Sequence, residues 1–256
     1  MDILVKALVG FLVGSLIGMT GVGGGVLLLP ILIFGLGVPP MMAVGSDALF
    51  NFFTKIGASA VHLRRGTVRR KVVLALIVGS APGSYGGVSL LHHLRAVYGS
   101  GVNHFITVAV GVLLIVIPSF LFFQKKIEDR AAAQPPTMKS FAWMVLMGLV
   151  AGFLVGITSV GSGSIIMMML LLFYRFQPKV MVGTDIVHAL LLTGVTSFLH
   201  FKINNNIDIR LVGALLIGSV PGGLFGSYVS TRVPVPWLRR ILCAVLLATG
   251  ARMLMA

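Results

Sequence analysis

The sequence predicts an all-α integral membrane protein of about eight transmembrane spans, in two four-span repeats that each have a glycine-broken first segment. Three observations predict it. Hydrophobic residues make up 57% of the 256, charged residues 10%, and mean hydropathy is +1.04, outside the soluble range. Apolar runs of about 20 residues, the length that crosses a bilayer, recur along the chain. The stretch Gly18-Met-Thr-Gly-Val-Gly-Gly-Gly-Val26 returns 138 residues later as Gly156-Ile-Thr-Ser-Val-Gly-Ser-Gly-Ser164.

Taken in order, the first span covers about Ile3 to Gly18 and breaks at the glycines, which cost about 1 kcal/mol each in a helix. Residues 26–37 are apolar but too short to cross alone, and Pro39-Pro40 ends them. Spans follow at about Val44–Leu63, Val72–Leu94 and Val102–Phe123, with the basic loop 64–71 after the first of these. A polar linker, 124–140, separates a first unit (1–123) from a second (141–256) and is expected on the cytoplasmic side. The second unit repeats the plan: a span at about Phe141–Gly156, the second break, a short piece at 165–176, then spans at about Val182–Phe201, Leu211–Tyr228 and Trp237–Met255.

Residues 10–66 and 148–204 align without a gap and share 15 identities in 57 positions, many of them Gly, Thr, Asp, Ser or His. Internal duplication follows. Gly10, Gly14 and Gly18 recur as Gly148, Gly152 and Gly156, and Gly79, Gly83 and Gly87 as Gly218, Gly222 and Gly226. Spacing by four puts each trio on one helix face, where small residues let backbones approach in lipid.

If each break joins two pieces of one crossing, each half has four spans and the repeats are parallel. Lys and Arg then fall 13 on one side and 6 on the other, with Lys55 inside a span, and both termini are cytoplasmic. If each break is a full hairpin, the repeats invert. We take the parallel arrangement as the expectation.

The net charge of +14 reflects short basic loops between apolar spans, a pattern of membrane topology and not of a nucleic-acid face. A lone Cys243 excludes an internal disulfide and a cysteine-cluster metal site, and no cofactor or metal is called for. Hydrolase motifs are missing from the sequence, so no catalytic residue is assigned and an enzyme is not expected.

Broken segments at membrane depth are tolerated where they line a cavity, and transporters aim half-helix N-termini at anions there. Gly23, Gly24 and Gly25 in the first break, and Gly161, Ser162 and Gly163 in the second, are therefore candidate binding residues. Thr20, Thr158, Ser46 and Thr184 are candidate hydroxyl donors. Asp47 and Asp185 stand in matching Val-Gly-Ser/Thr-Asp sequences and are candidate proton carriers, with a helix N-cap as the alternative role. Asp47, Asn51 and Lys55 share a helix face, where Lys55 attracts an anion or, alternatively, snorkels to the basic loop. His62 and His200 match across the halves near span ends, as interfacial residues or as proton relays.

At the glycine breaks, the Val-Gly-Ser/Thr-Asp pairs, His62-Leu-Arg-Arg-Gly-Thr-Val68 and the Gly-Ser-x-Pro-Gly pairs, the sequence resembles the TauE/SafE sulfite exporter family, grouped with toluene-sulfonate uptake permeases. The resemblance implies a proton-linked secondary transporter of sulfite, organosulfonates or related sulfur anions in a bacterial inner membrane. Its partners would be that small anion and the lipid bilayer, with a homodimer left open. A passive anion channel, or a membrane-embedded redox partner, is the alternative.

Overall fold

The computed structural model describes residues 3–20, 24–132, 140–173, 178–230 and 235–255. Those residues form ten α-helices: α1 (Ile3–Thr20), α2 (Gly24–Pro30), α3 (Pro40–Arg64), α4 (Arg70–Tyr98), α5 (Val102–Ala132), α6 (Phe141–Thr158), α7 (Ser164–Phe173), α8 (Pro178–Leu199), α9 (Ile209–Ser230) and α10 (Val235–Met255). α2 and α8 each continue into one π-helical turn, at Ile31–Gly35 and His200–Asn204. Four helical stretches are long and apolar enough to cross a membrane, Arg70–Ser119, Phe141–Thr158, Lys179–Asn204 and Ile209–Gly226, with shorter apolar helices beside them.

The expected spans lie inside these helices. The fourth is longer than expected, because α5 runs on to Ala132 through the polar stretch after Phe123. Glu, Lys, Arg and Ala favour helix as much as Leu does, so polarity marks where lipid ends and not where the helix ends. The outer faces are apolar: Leu4 is 78% exposed, Leu224 73% and Ile217 68%, as a lipid-facing surface requires.

Two glycine-lined contacts dominate the packing. α1 lies against α9, and a Cβ on Gly10, Gly14, Gly218, Gly222 or Gly226 would strike the carbonyls of Leu215, Ser219, Ala7, Phe11 or Ser15 respectively. α4 lies against α6 in the same way, with Gly79, Gly83, Gly87, Gly148, Gly152 and Gly156 against Val145, Leu149, Phe153, Leu76, Ser80 and Ser84. Five glycines of each set correspond at offsets of 138 and 139, and Gly156 adds a sixth to the second set. Backbone meets backbone, so no side chain can yield.

The contacts also fix helix directions. In both glycine-lined pairs residue numbers rise together, so α1 runs with α9 and α4 with α6. α3 and α8 run opposite ways: Gly194 meets Phe52, Ser59 donates to the Ile186 carbonyl (3.4 Å), and Gly183 meets His62. α5 and α10 are likewise opposed, with Gly111 against Met253 and the Cys243 thiol against the Pro118 carbonyl.

Parallel repeats would make α3 run with α8 and α5 with α10. The contacts overturn that expectation. α4 also runs with α8, with Ser80 against His188, Ser84 against Thr196 and Val88 against Asn204, so α4, α6 and α8 share one direction. α7 must therefore return the chain to the face from which α6 started. The second glycine break is a turn-back, not a kink within one crossing.

Candidate functional site

The helices that follow the two breaks pack against α3 and α8, α2 on α3 and α7 on α8. In α3 the buried Asp47 and Asn51 (both 0% exposed) face the start of α2. A Cβ on Gly25 would lie 2.8 Å from Asp47 Oδ2, 3.0 Å from the Ser159 carbonyl and 3.4 Å from Asn51 Nδ2. A Cβ on Gly24 would lie 2.8 Å from Asn51 Oδ1. Any larger residue there would fill the space between α2 and α3. In the second half the Cβ position of Gly163 lies 3.2 Å from Asp185 Oδ2.

The halves cross at this point. The Ser159 hydroxyl, from the second break, donates to Asp47 Oδ2 at 2.7 Å, while Asp47 Oδ1 has no partner. Asp185 Oδ1 is also buried without a partner. Lys55 Nζ donates to Asn51 Oδ1 at 2.9 Å and lies within electrostatic range of both carboxyl groups. Asn51 Nδ2 in turn donates to the Asp47 carbonyl at 3.0 Å.

Two alternatives raised by the sequence fall away here. Asp47 and Asp185 are not N-caps, since α3 begins at Pro40 and α8 at Pro178, about two turns earlier. Nor does Lys55 snorkel toward the basic loop; its ammonium turns back along α3 to Asn51.

The remaining expected residues divide. Gly24, Gly25, Asp47, Asn51 and Lys55 are brought together at α2 and α3, and Gly163 meets Asp185 at α7 and α8. Thr158 is spent within its own break, donating to the Leu154 carbonyl (2.7 Å) and accepting from Val160 N–H (3.2 Å). Gly161 adopts φ +88°, a left-handed value that suits glycine, and Ser162 is buried at 4% exposure. At the start of α7, the Ile165 and Met167 amides already donate to the Gly161 and Gly163 carbonyls (3.0 and 2.8 Å), so they are not open to a ligand. Gly23 lies outside the described residues, as does the side chain of Thr20.

Ser46 and Thr184 hold loops. The Ser46 hydroxyl accepts from Asp208 N–H and the Thr184 hydroxyl from Arg69 N–H, both at 3.0 Å. Each fastens the loop before α9 or α4 to the residue preceding a central aspartate. His62 Nδ1 pairs with Thr67 Oγ1 (2.8 Å) in one of those loops. His200, by contrast, is fully buried and pairs through Nε2 with the Gly156 carbonyl (3.1 Å).

Ser159 was missed by sequence reasoning. The signal was present: it stands where the first half has Gly21, and it holds φ +56°, a region that L-residues rarely adopt. His188, also given no role from sequence, is fully buried and pairs through Nε2 with Ser80 Oγ (2.9 Å).

Residues 6–253 match the family model described as sulfite exporter TauE/SafE. Among relatives, the "Probable membrane transporter protein YjnA" of Bacillus subtilis is 35% identical over 96% of this chain and 98% of its own length. A second Bacillus subtilis protein, "Probable membrane transporter protein YunE", is 24% identical over 99% and 98%. "Probable membrane transporter protein MJ0441" of Methanocaldococcus jannaschii is 25% identical over 97% and 94%. No solved structure matches the chain. A helical protein with an apolar surface, whose polar centre is built from two glycine breaks and matched by that family model over nearly its whole length, belongs to the TauE/SafE sulfite exporter family of membrane transporters.

Proposed function

We propose that the protein is a secondary transporter that moves a small sulfur oxyanion or sulfonate across the cytoplasmic membrane, coupled to protons. The observation that carries this reading is the meeting of Asp47, Asn51, Lys55 and Asp185 with glycines from both breaks. Lys55 and the Asn51 amide supply attraction for an anion. A carboxylate and an oxyanion repel, so the anion and a proton on Asp47 or Asp185 enter together. Asp47, Asn51 and Asp185 are buried and Lys55 is half-buried, where such charges act more strongly than in water.

The two units, 1–123 and 141–256 joined by 124–140, are read as inverted repeats. Matching glycine contacts, with matching elements running opposite ways, support this. Alternating access then takes the form of one half rocking against the other about the centre.

The inverted arrangement changes the orientation. One face collects the five cations of 64–71, Lys125, Lys126, Arg130, Lys139, Arg175, Lys179 and the three of 232–240, fourteen in all. The other collects Lys6, Arg95, Lys202, Arg210 and Arg252, five in all. The bias is stronger than the 13 to 6 of the parallel arrangement, and it supports a reading with both termini outside. A C-terminal alkaline phosphatase fusion would then be active and a fluorescent-protein fusion dark; the reverse pattern would return the termini to the cytoplasm.

Proteoliposome flux tests the transport reading. Uptake of labelled sulfite or a sulfonate should rise with an imposed pH gradient and be lost in Gly25→Leu and Gly163→Leu variants that remain monodisperse. Flux unaffected by the gradient would leave a channel, and normal flux in both variants would remove the site.

A further inference from the structure

Each half holds one central aspartate, and their surroundings differ. Asp47 lies beside an Asn51–Lys55 arm and accepts from the Ser159 hydroxyl. Asp185 Oδ1 has no partner among the described residues, and neither does Nδ1 of His188, three residues further along the same face of α8. Asp185 is 8% exposed and His188 0%.

From His188 a row of polar side chains continues between α8 and α4. His188 Nε2 pairs with Ser80 Oγ at 2.9 Å, and one turn along α4, Ser84 Oγ pairs with Thr196 Oγ1 at 2.7 Å. Beyond them Asn204 Nδ2 donates to the Val88 carbonyl, and Asn204 Oδ1 meets His92 Nδ1, both at 3.3 Å. Ser80, Ser84 and Thr196 are fully buried, while His92 is exposed, on the face that carries few cations. The first half has no such row: Phe50, Gly223, Ala58 and Gly66 stand where His188, Ser84, Thr196 and Asn204 would match. Polar groups are costly to bury, and the first half packs without them.

We propose that this row is the proton path to Asp185, with His188 as its relay, so that Asp185 and not Asp47 carries the coupled proton. The inference rests on the proton-coupled reading and names the residues that serve it. His188 gives the proton on Nδ1 to the Asp185 carboxylate as Nε2 takes one from the Ser80 hydroxyl. Ser80 regains its proton from water held between its layer and that of Ser84, about 6 Å along the helix. The ring gains one proton and loses one, and it ends as the other tautomer. Of the helices packed on α8, α6 and α7 carry no ionisable residue, and α3 sets Lys55 within range of Asp185. The basic residues of α4 lie at its ends, Arg70 and Lys71 at one and His92, His93 and Arg95 at the other.

Labelled methanesulfonate would be followed in proteoliposomes of the full chain in two modes. One is uptake driven by a pH gradient; the other is exchange at equal pH, in which the proton can stay on the carrier. His188→Gln keeps a hydrogen bond to Ser80 and carries no proton. It should slow driven uptake at least about tenfold, as loss of a proton-transfer group does, and leave exchange within about threefold of wild type. Ser80→Ala, which removes the next hydroxyl and leaves the ring, should show the same split and decides the matter should His188→Gln fail to fold.

Driven uptake at the wild-type rate in these variants would overturn the inference and leave transport standing. So would equal loss of both modes from folded protein, which marks a structural role. Wild-type flux that ignores the gradient would remove proton coupling, and no wild-type flux in either mode would remove the transporter reading; the inference falls with each.

Discussion

The glycine-lined interfaces and the centre are both built from matched halves, and they differ in how well the match is kept. Along α1–α9 and α4–α6, five glycine contacts in one pair have their counterparts in the other, and Gly156 on Ser84 adds a sixth. At the centre the aspartates and the pairs Thr20/Thr158, Gly23/Gly161 and Gly25/Gly163 are kept, while Gly21/Ser159, Gly24/Ser162, Asn51/Ala189 and Lys55/Thr193 diverge. Packing of backbone on backbone admits one solution, so both copies hold it. The divergent positions at the centre are not bound by that constraint. The difference separates scaffold from chemistry.

The largest expected effect belongs to the scaffold. In Gly152→Leu the new side chain would drive into the Ser80 backbone, and Gly14→Leu would do the same at Ser219. Each should cost more than about 3 kcal/mol, since neither backbone can move away without separating the helices. Size-exclusion chromatography of a fluorescent fusion should show loss of the monodisperse peak for both variants to a similar degree. A normal peak for one alone would break the equivalence of the two interfaces.

Next comes the arm. Lys55→Met should weaken anion binding by about 10- to 100-fold, the worth of one charge-assisted hydrogen bond, with the melting profile of the unliganded protein retained. Titration of the melting temperature measures it.

Ser159 should have a smaller effect. Ser159→Ala removes the donor to Asp47 and should destabilise by about 1–3 kcal/mol, the cost of an unsatisfied buried acceptor. Ser159→Gly restores the residue of the matching position and relieves the left-handed backbone, which returns about 1 kcal/mol. Thermal denaturation should therefore rank Gly above Ala. The opposite order would mean that the left-handed backbone carries no strain at this site, since both variants lack the hydroxyl.

Least affected is Thr193→Val. Its hydroxyl bonds only within α8, so anion affinity should change by less than about threefold.

The helices were legible because punctuation in this chain is strong: Pro40 opens α3, the run of cations after Leu63 closes it, and the glycine breaks stop α1 and α6. The direction taken after each break was not. A glycine run permits a kink or a turn-back equally, and the contacts that decide between them, such as Ser59 to Ile186, join residues 127 apart. For the same reason the glycine trios could be placed on helix faces but not paired, since nothing within α1 names α9 as its neighbour.

At the site, Asp47 and Lys55 stood out because ionisable residues are expensive at membrane depth. The loop contacts of Ser46 and Thr184 were not legible, because a hydroxyl beside an aspartate looks the same whether it faces a ligand or the next loop. Ser159 was overlooked since attention went to what the breaks share, and its role lies in what they do not.

The measurement that tests this most directly is counterflow of labelled methanesulfonate in proteoliposomes, with Lys55→Met and Thr193→Val compared side by side. Both substitutions fall on matching positions of α3 and α8. If function resides in the difference between halves, Thr193→Val will run at the wild-type rate and Lys55→Met at least tenfold slower, from proteins of equal thermal stability. Equal rates for the two variants, whether both normal or both impaired, would contradict the account.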